Sequence, residues 1–236
     1  MTEDQKARAL EKAKEMFRNE FETKRKRAVR ALANIDSFKP NPFLHKYLAE
    51  SVWGNCEPEN LAKALIYPRV LGTSVATSFG SFIQKYCCSN IFAEINGAEP
   101  ADAAGLDITF VDMIDNRKKH CQLKSGPQTI NSGDADQIVE KLNEARRKLL
   151  TNGGSPVPED YIVCVVYGSE SDLSANYQRI ATNDHPVYIG KEFWKRFTGD
   201  EGFYDDLIAT FVELAEESTM NDLVDEAVQS LAASFE

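Results

Sequence analysis

Apolar side chains recur at helical spacing near the start of the chain. Six of them follow one another at intervals of seven, four, seven, four and three residues, so they share one helix face: Leu10, Phe17, Phe21, Ala28, Leu32 and Ile35. The pattern predicts a long amphipathic helix over residues 3–36, ended by the proline-rich segment 39–42. Residues 43–90 repeat apolar positions at similar intervals and predict further helices, with Gly80 allowing close approach of a neighbour.

The period changes to that of a strand at Leu106. Leu106, Ile108 and Phe110 alternate with more polar positions, which predicts a half-buried strand. A polar turn at 115–117 leads into a second strand over 120–125, and the two together predict an antiparallel hairpin.

The rest of the chain alternates between helical and strand patterns. Asp134 is the predicted N-cap of a helix that runs to about Leu150. Residues 161–167 are almost continuously apolar, which is typical of a strand buried on both faces. A short strand at 187–189, a helix beginning at Lys191 and two acidic helices follow. This order indicates an α/β or α+β domain around a mixed sheet.

Composition places the chain among globular proteins. Of its 236 residues 42% are hydrophobic and 27% charged, enough to bury a core. The sequence has no apolar run of membrane-spanning length, and its first thirty residues are charged where a signal peptide would be apolar. We therefore expect a soluble cytoplasmic protein without a membrane partner. The five cysteines are odd in number and lack C-x-x-C spacing, which predicts reduced thiols.

The net charge of −10 is distributed unevenly. Residues 198–236 contain eleven acids and no Lys or Arg, whereas the preceding 197 residues hold 27 basic and the remaining 26 of the 37 acidic residues. The overall acidity therefore does not exclude a nucleic-acid partner, which needs basic groups only where phosphates lie. The run 24–27 (KRKR) fits either a solvated helix face or a phosphate contact.

Several common catalytic sites are excluded because their motifs are missing. The sequence contains no G-x-S-x-G, no G-x-x-x-x-G-K-[ST], no G-x-G-x-x-G and no H-E-x-x-H, and its three histidines are well separated. The remaining candidate is the hairpin, where Gln122 and Lys124 lie two apart on the strand following that of Asp107. An acid, an amide oxygen and an ammonium on one sheet face suit a divalent cation and phosphodiester hydrolysis. The same residues also fit an exposed polar face, and spacing alone does not decide.

Further segments give this hairpin a family resemblance. Asp107 followed by Gln122-Leu123-Lys124 resembles the active site of the PD-(D/E)xK nuclease superfamily, which implies an α/β fold with a helix-flanked mixed central sheet. The resemblance is to type II restriction endonucleases that cut interrupted GG-N-CC palindromes, and it spans roughly residues 40–197. It is carried by the ordered segments 41–43 (NPF), 79–80 (FG), 123–126 (LKSG), 129–130 (TI), 165–168 (VVYG) and 188–194 (YIGKEFW).

The resemblance also assigns roles. It implies Mg²⁺ as cofactor, Asp107 as the metal-binding acid and Lys124 as the catalytic lysine. Gln122 occupies a position where the superfamily usually has an acid, so it would be a neutral and weaker metal ligand. Gln84 would face the site or lie on the surface. The acids that could replace a missing second carboxylate are Asp112, Glu94, Glu99 and Asp134.

Partners follow from the same resemblance. A palindromic site in double-stranded DNA implies a homodimer with matching symmetry, each subunit cutting one strand. A cognate methyltransferase would protect the site without needing to bind the protein. Four basic residues in the late segment are candidates for contacts with bases or, more often, phosphates: Arg179, Lys191, Lys195 and Arg196.

The sequence thus predicts three segments and one leading function. Residues 1–40 would be an N-terminal helix for dimerisation or packing, 41–197 the nuclease core, and 198–236 an acidic helical tail. The leading hypothesis is a Mg²⁺-dependent, site-specific double-stranded DNA endonuclease of a bacterial restriction system. The alternatives are a DNA-binding relative whose catalysis Gln122 weakens, and a helical interaction protein without nuclease activity.

Overall fold

The computed structural model describes residues 1–102 and 105–235. Glu236, one of the acids of the predicted tail, lies outside them. The chain forms two compact units. The first comprises Met1–Glu15 and Gly80–Val212, and the second comprises Met16–Phe79 and Glu213–Glu236. This division differs from the linear segments 1–40, 41–197 and 198–236, because the second unit takes its residues from two separate parts of the chain.

The first unit is built on a mixed five-stranded sheet. The strands are β1 Glu99–Pro100, β2 Ile108–Val111, β3 Lys118–Lys124, β4 Tyr161–Val165 and β5 Val187–Ile189. They lie in the order β1-β2-β3-β4-β5 across the sheet. β1, β2 and β3 pair antiparallel, whereas β3, β4 and β5 pair parallel. The predicted hairpin is therefore confirmed, and so is the mixed central sheet.

The α-helices of the described residues include the predicted N-terminal and C-terminal ones. Their bounds in chain order are α1 Glu3–Met16, α2 Thr23–Ala31, α3 Pro42–Trp53, α4 Pro58–Leu71, α5 Thr73–Cys87, α6 Asn90–Asn96, α7 Ser132–Thr151, α8 Ala175–Ala181, α9 Lys191–Thr198, α10 Phe203–Glu216 and α11 Met220–Ala232. No helix within residues 1–102 and 105–235 is long and apolar enough to cross a membrane.

The predicted N-terminal helix is interrupted. Between α1 and α2 the chain forms a π-helical segment, Phe17–Glu22. Its hydrogen bonds reach five residues back, as in the bond from the backbone N–H of Thr23 to the carbonyl oxygen of Arg18. The Oγ1 of Thr23 donates to the same carbonyl over 2.9 Å.

Two further local predictions were wrong. The N-cap of α7 is Asn131 and not Asp134; Asn131 accepts from the N–H of Asp134, whose carboxylate accepts in turn from the N–H of Asn131. β2 is not half-buried, because Thr109 is buried as well as Ile108 and Phe110. The hydroxyl of Thr109 remains satisfied by donating to Glu99 Oε1 over 3.2 Å.

Helix α7 covers one face of the sheet. Its buried residues recur at intervals of three and four, so they form one apolar stripe. That stripe packs with alternate residues of β4, which is buried along its whole length as predicted. The contributing residues are Ala135, Ile138, Leu142 and Ala145 of α7 and Tyr161, Val163 and Val165 of β4.

The second unit has its own helical core. Apolar side chains of α2, α4 and α11 pack together there. The buried members are Val29, Phe38, Ala62, Ile66, Leu223, Ala227, Val228, Leu231 and Ala232.

The cysteines are free thiols, as predicted. Cys87, Cys121 and Cys164 are buried, Cys88 is half-buried and Cys56 is exposed. Burial raises the pKa of Cys88 to about 11, and the nearby Asp107 charge adds to this. Burial also raises the pKa of Cys87 and Cys164 well above the usual thiol value. These three thiols are therefore protonated at neutral pH, and Cys87 and Cys164 act as packing residues in the core.

A buried ion pair fixes the turn after β2 to α9. Asp112 is fully buried, and its Oδ2 accepts from Arg196 Nη1 over 2.9 Å. Its Oδ1 accepts from the backbone N–H of Ile114 over 2.8 Å. Arg196 also bonds Glu192 and stacks 4.2 Å over the ring of Tyr188.

Arg196→Ala should therefore destabilise the protein, because it leaves the Asp112 carboxylate buried without its cation. Removal of one partner from a buried pair typically costs about 3–5 kcal/mol. A urea titration followed by circular dichroism would measure the loss. The control is Lys195→Ala, which removes a neighbouring but exposed ion pair with Glu201 and should change stability little. Equal effects of the two variants would show that the Asp112 contact contributes nothing special.

Candidate active site

The register between β2 and β3 brings Asp107 and Gln122 together. Ile108 lies opposite Cys121 in the ladder, and the backbone N–H of Asp107 bonds to the carbonyl oxygen of Cys121 over 3.0 Å. Oδ2 of Asp107 then accepts from the backbone N–H of Leu123 over 2.8 Å and from Nε2 of Gln122. The two residues singled out in the sequence are thus in direct contact across the hairpin.

A third residue reaches the carboxylate from helix α5. Gln84 Nε2 donates to Asp107 Oδ1 over 3.3 Å. The helix lies close to this end of β3, since a Cβ on Gly80 would be 3.4 Å from the Cβ of Ser125, at van der Waals contact. The sequence left open whether Gln84 faces the site or lies on the surface. In the structure it faces Asp107.

Two opposing effects set the electrostatics of Asp107. Its burial raises the pKa of the carboxyl above its usual value, because desolvation disfavours the charged form. The N–H of Leu123, the Lys124 ammonium, the amide of Gln122 and the Lys141 ammonium lower that pKa in part. The ionised carboxylate is therefore held in the fold at an energetic cost, with positive and donor groups directed toward it.

Lys141 is a residue that the sequence analysis missed. It lies on α7, and its methylene stem passes Gly105, where a Cβ would come within 2.9 Å of Lys141 Cδ. Gly105 has φ +93°, a conformation that favours glycine. One sequence feature could have indicated Lys141: it lies three residues after Ile138, at the border of the apolar stripe of α7. Neither Lys124 nor Lys141 has an ion-pair or hydrogen-bond partner among the described residues, so both ammonium groups are available to a ligand.

The donor atoms around Asp107 fit a hard cation, but with little negative charge. The carboxylate of Asp107 offers oxygen, and Gln122 Oε1 is buried without a hydrogen-bond partner in the part of the chain described. Within residues 1–102 and 105–235 no three His, Cys, Asp or Glu side chains form a metal-binding group. One carboxylate and one amide oxygen suit Mg²⁺, which commonly retains several waters.

The four acids considered as a second carboxylate have other partners. Asp112 is paired with Arg196, and Asp134 completes the cap of α7. The other two form ion pairs, Glu94 with Arg8 over 2.8 Å and Glu99 with Lys118 over 2.9 Å. Glu99 pairs with Thr109 in the ladder, two residues from Asp107, on the same face. None of the four makes a hydrogen bond to the Asp107 site in the described structure.

The four predicted DNA-binding residues all have acidic partners. Arg196 belongs to the buried pair with Asp112. The others form exposed pairs, which contribute little and can exchange for phosphate: Arg179 with Asp136 over 2.9 Å, Lys191 with Asp205 over 2.6 Å and Lys195 with Glu201 over 2.6 Å. Their contact with DNA stays a prediction.

A family of known proteins matches the chain. The family described as type II restriction endonuclease EcoO109I matches residues 9–219, which is most of the chain and includes every residue of the Asp107 site. No curated protein matches significantly.

Asp107→Asn should stabilise the protein at neutral pH while keeping the shape of the site. A carboxyl whose folded pKa is raised binds its proton more tightly when folded, so its contribution to stability falls as pH rises above the ordinary carboxyl pKa of about 3.9. The gain from Asn should therefore be present at pH 7 and vanish near pH 4. Thermal denaturation resolves this, since about 1 kcal/mol moves the midpoint by about 2–4 °C. A gain equal at both pH values would mean that desolvation of the Asp107 charge is not its cause.

Proposed function

The chain belongs to the type II restriction endonuclease EcoO109I family, and on that premise we propose that it is a Mg²⁺-dependent endonuclease cutting double-stranded DNA at a specific palindromic site. The observation that carries the proposal is the Asp107 carboxylate, held between Gln122, Gln84 and the N–H of Leu123. Two unpaired lysines direct positive charge toward the same carboxylate.

The residues of the site divide the work of phosphodiester hydrolysis. Asp107 and the Oε1 of Gln122 would hold the cation, and Gln84 and Leu123 would orient the carboxylate. Mg²⁺, when bound, polarises the scissile phosphate and makes a water molecule more acidic. Lys124 would orient the attacking water and stabilise negative charge on the phosphate by its own positive charge. Lys141 would offset the negative charge that develops on the phosphate oxygens.

The expected DNA site and assembly go beyond the family match. We propose an interrupted palindrome of the GG-N-CC type, on the strength of the segments that resemble enzymes of this specificity. The described chain contributes a single Asp107 site, and cutting both strands of a palindrome needs two such sites related by two-fold symmetry. A homodimer on duplex DNA meets that requirement. A cognate methyltransferase would act on the same DNA site.

One alternative has a specific observation in its favour. Gln122 replaces a negative ligand by a neutral one, and the described residues offer no third metal-binding side chain. A relative that binds DNA specifically but cuts slowly is therefore the second candidate. Family membership argues against the helical interaction protein.

The first test is incubation of the purified protein with phage DNA in Mg²⁺ and in EDTA. Discrete fragments in Mg²⁺ alone are expected. Asp107→Ala should abolish them, because it removes the charged metal ligand, whereas Lys148→Ala, which removes an exposed pair with Glu144, should leave them unchanged. Specific binding without fragments would support the slow relative, and fragments from Asp107→Ala would contradict the assigned role of Asp107.

A second test concerns Gln122→Glu. Glutamate would place two carboxylates in contact, so without a cation one of them must take up a proton or the fold must lose stability. Divalent cations should relieve this repulsion. We therefore expect a lower thermal midpoint than that of the unmodified protein in EDTA, and a larger rise on titration with Mg²⁺. If Mg²⁺ raises both midpoints equally, Gln122 does not contribute to the metal site.

A further inference from the structure

Exposed basic side chains form a stripe on helix α2 of the second unit. Lys24, Arg27 and Arg30 follow one another at three-residue intervals and are all exposed, while Val29 faces the core. No acid occurs anywhere in Thr23–Ala31. The other exposed residues of this helix are small and uncharged: Thr23, Ala28 and Ala31. The stripe thus presents three long cationic side chains without a competing carboxylate on their own helix.

None of the three cations has an ion-pair or hydrogen-bond partner in the part of the chain described. Their neighbours on the same helix differ: Lys26 Nζ lies 2.8 Å from Glu22 Oε1, and Arg25 donates to the carbonyl oxygen of Val70 over 2.5 Å. Three further lysines, on other helices, likewise form an ion pair with a glutamate one turn away on their own helix. These are Lys12 with Glu15, Lys63 with Glu59 and Lys148 with Glu144. The stripe thus contrasts with these paired lysines, because three cations on one exposed helix face lie together without acidic partners among the described residues.

We propose that Lys24, Arg27 and Arg30 bind the phosphate backbone of duplex DNA without reading its sequence. This rests on the proposed function, which supplies DNA as the polyanion. From Lys24 to Arg30 the helix rises about 9 Å, at about 1.5 Å per residue, and one DNA strand carries a phosphate about every 3.4 Å along its axis. The stripe therefore spans two or three successive phosphates. Lys24 and Arg27 belong to the basic run 24–27, for which the sequence left open a solvated face or a phosphate contact. We propose the phosphate contact for these two residues and add Arg30.

A backbone contact of this kind has a measurable signature in salt. Each phosphate neutralised by a cation adds about 0.9 to the slope of log K against log salt concentration. Three lost contacts should lower the magnitude of that slope by as much as about 2.7. The effect should be the same on DNA with and without the recognition site, since phosphates carry no base information.

The experiment compares two triple variants of equal net charge in an Asp107→Asn background that prevents cutting. One is Lys24→Ala with Arg27→Ala and Arg30→Ala, and the other removes the paired lysines Lys12, Lys63 and Lys148 in the same way. Fluorescence anisotropy gives affinity for a duplex without the site from about 50 to 200 mM salt, the range over which phosphate contacts dominate. In the stripe variant the magnitude of the slope of log K against log salt concentration should fall by about 1.8 to 2.7, and in the control variant by less than about 0.9.

Equal slope changes in the two variants would show that net charge alone matters, and no change in the stripe variant would also overturn the proposal. Alanine favours helix, so α2 should remain folded, and a thermal scan of each variant checks this. Digestion by the unmodified protein separates this inference from the proposed function. If the unmodified protein cuts DNA but the triple stripe variant keeps the salt dependence of the parent, only the proposed role of the stripe is refuted. If the unmodified protein does not cut DNA but its binding depends on the stripe, the proposed nuclease activity is refuted and the phosphate contact of the stripe stands.

Discussion

The Asp107 site depends on the register of the β2–β3 hairpin. Because side chains alternate between the faces of a strand, a slip of one residue would turn Gln122 away from Asp107 and put Cys121 in its place. The bond from the Leu123 N–H to the Asp107 carboxylate helps to fix that register, since it joins the site directly to the backbone of β3. The same strand then pairs in parallel with β4, which requires the crossover helix α7. Helix α7 in turn carries Lys141 to Asp107.

Much of this could be predicted from local patterns. The alternation around Leu106, the turn at 115–117 and the apolar run at 161–167 identified β2, β3 and β4. Period two placed Gln122 and Lys124 on one face. These signals are local because strand faces and turns depend on near neighbours. The contact of Asp107 with Gln122 then followed from the pairing of two adjacent strands.

The remainder depends on packing between distant segments. Lys141 is 34 positions from Asp107 in the sequence and reaches it only because α7 crosses the sheet beside Gly105. The helical unit combines residues 16–79 with 213–236, a pairing that no local period could reveal. The burial of Thr109 likewise comes from tertiary packing. The Asp112–Arg196 pair is a further long-range contact, between residues treated as separate candidates in the sequence.

The neutral Gln122 has a consequence for the order in which the site is assembled. Two carboxylates side by side would repel a phosphate until a cation had neutralised them. Here one carboxylate faces two unpaired ammonium groups, so the local charge of Asp107, Lys124 and Lys141 is positive before any cation arrives. On the proposed function, the DNA backbone would therefore enter first, and its own phosphate oxygen would supply the negative ligand that the protein lacks. In that order of events a metal ion would bind tightly only to the complex with DNA, and the free protein would carry little of it.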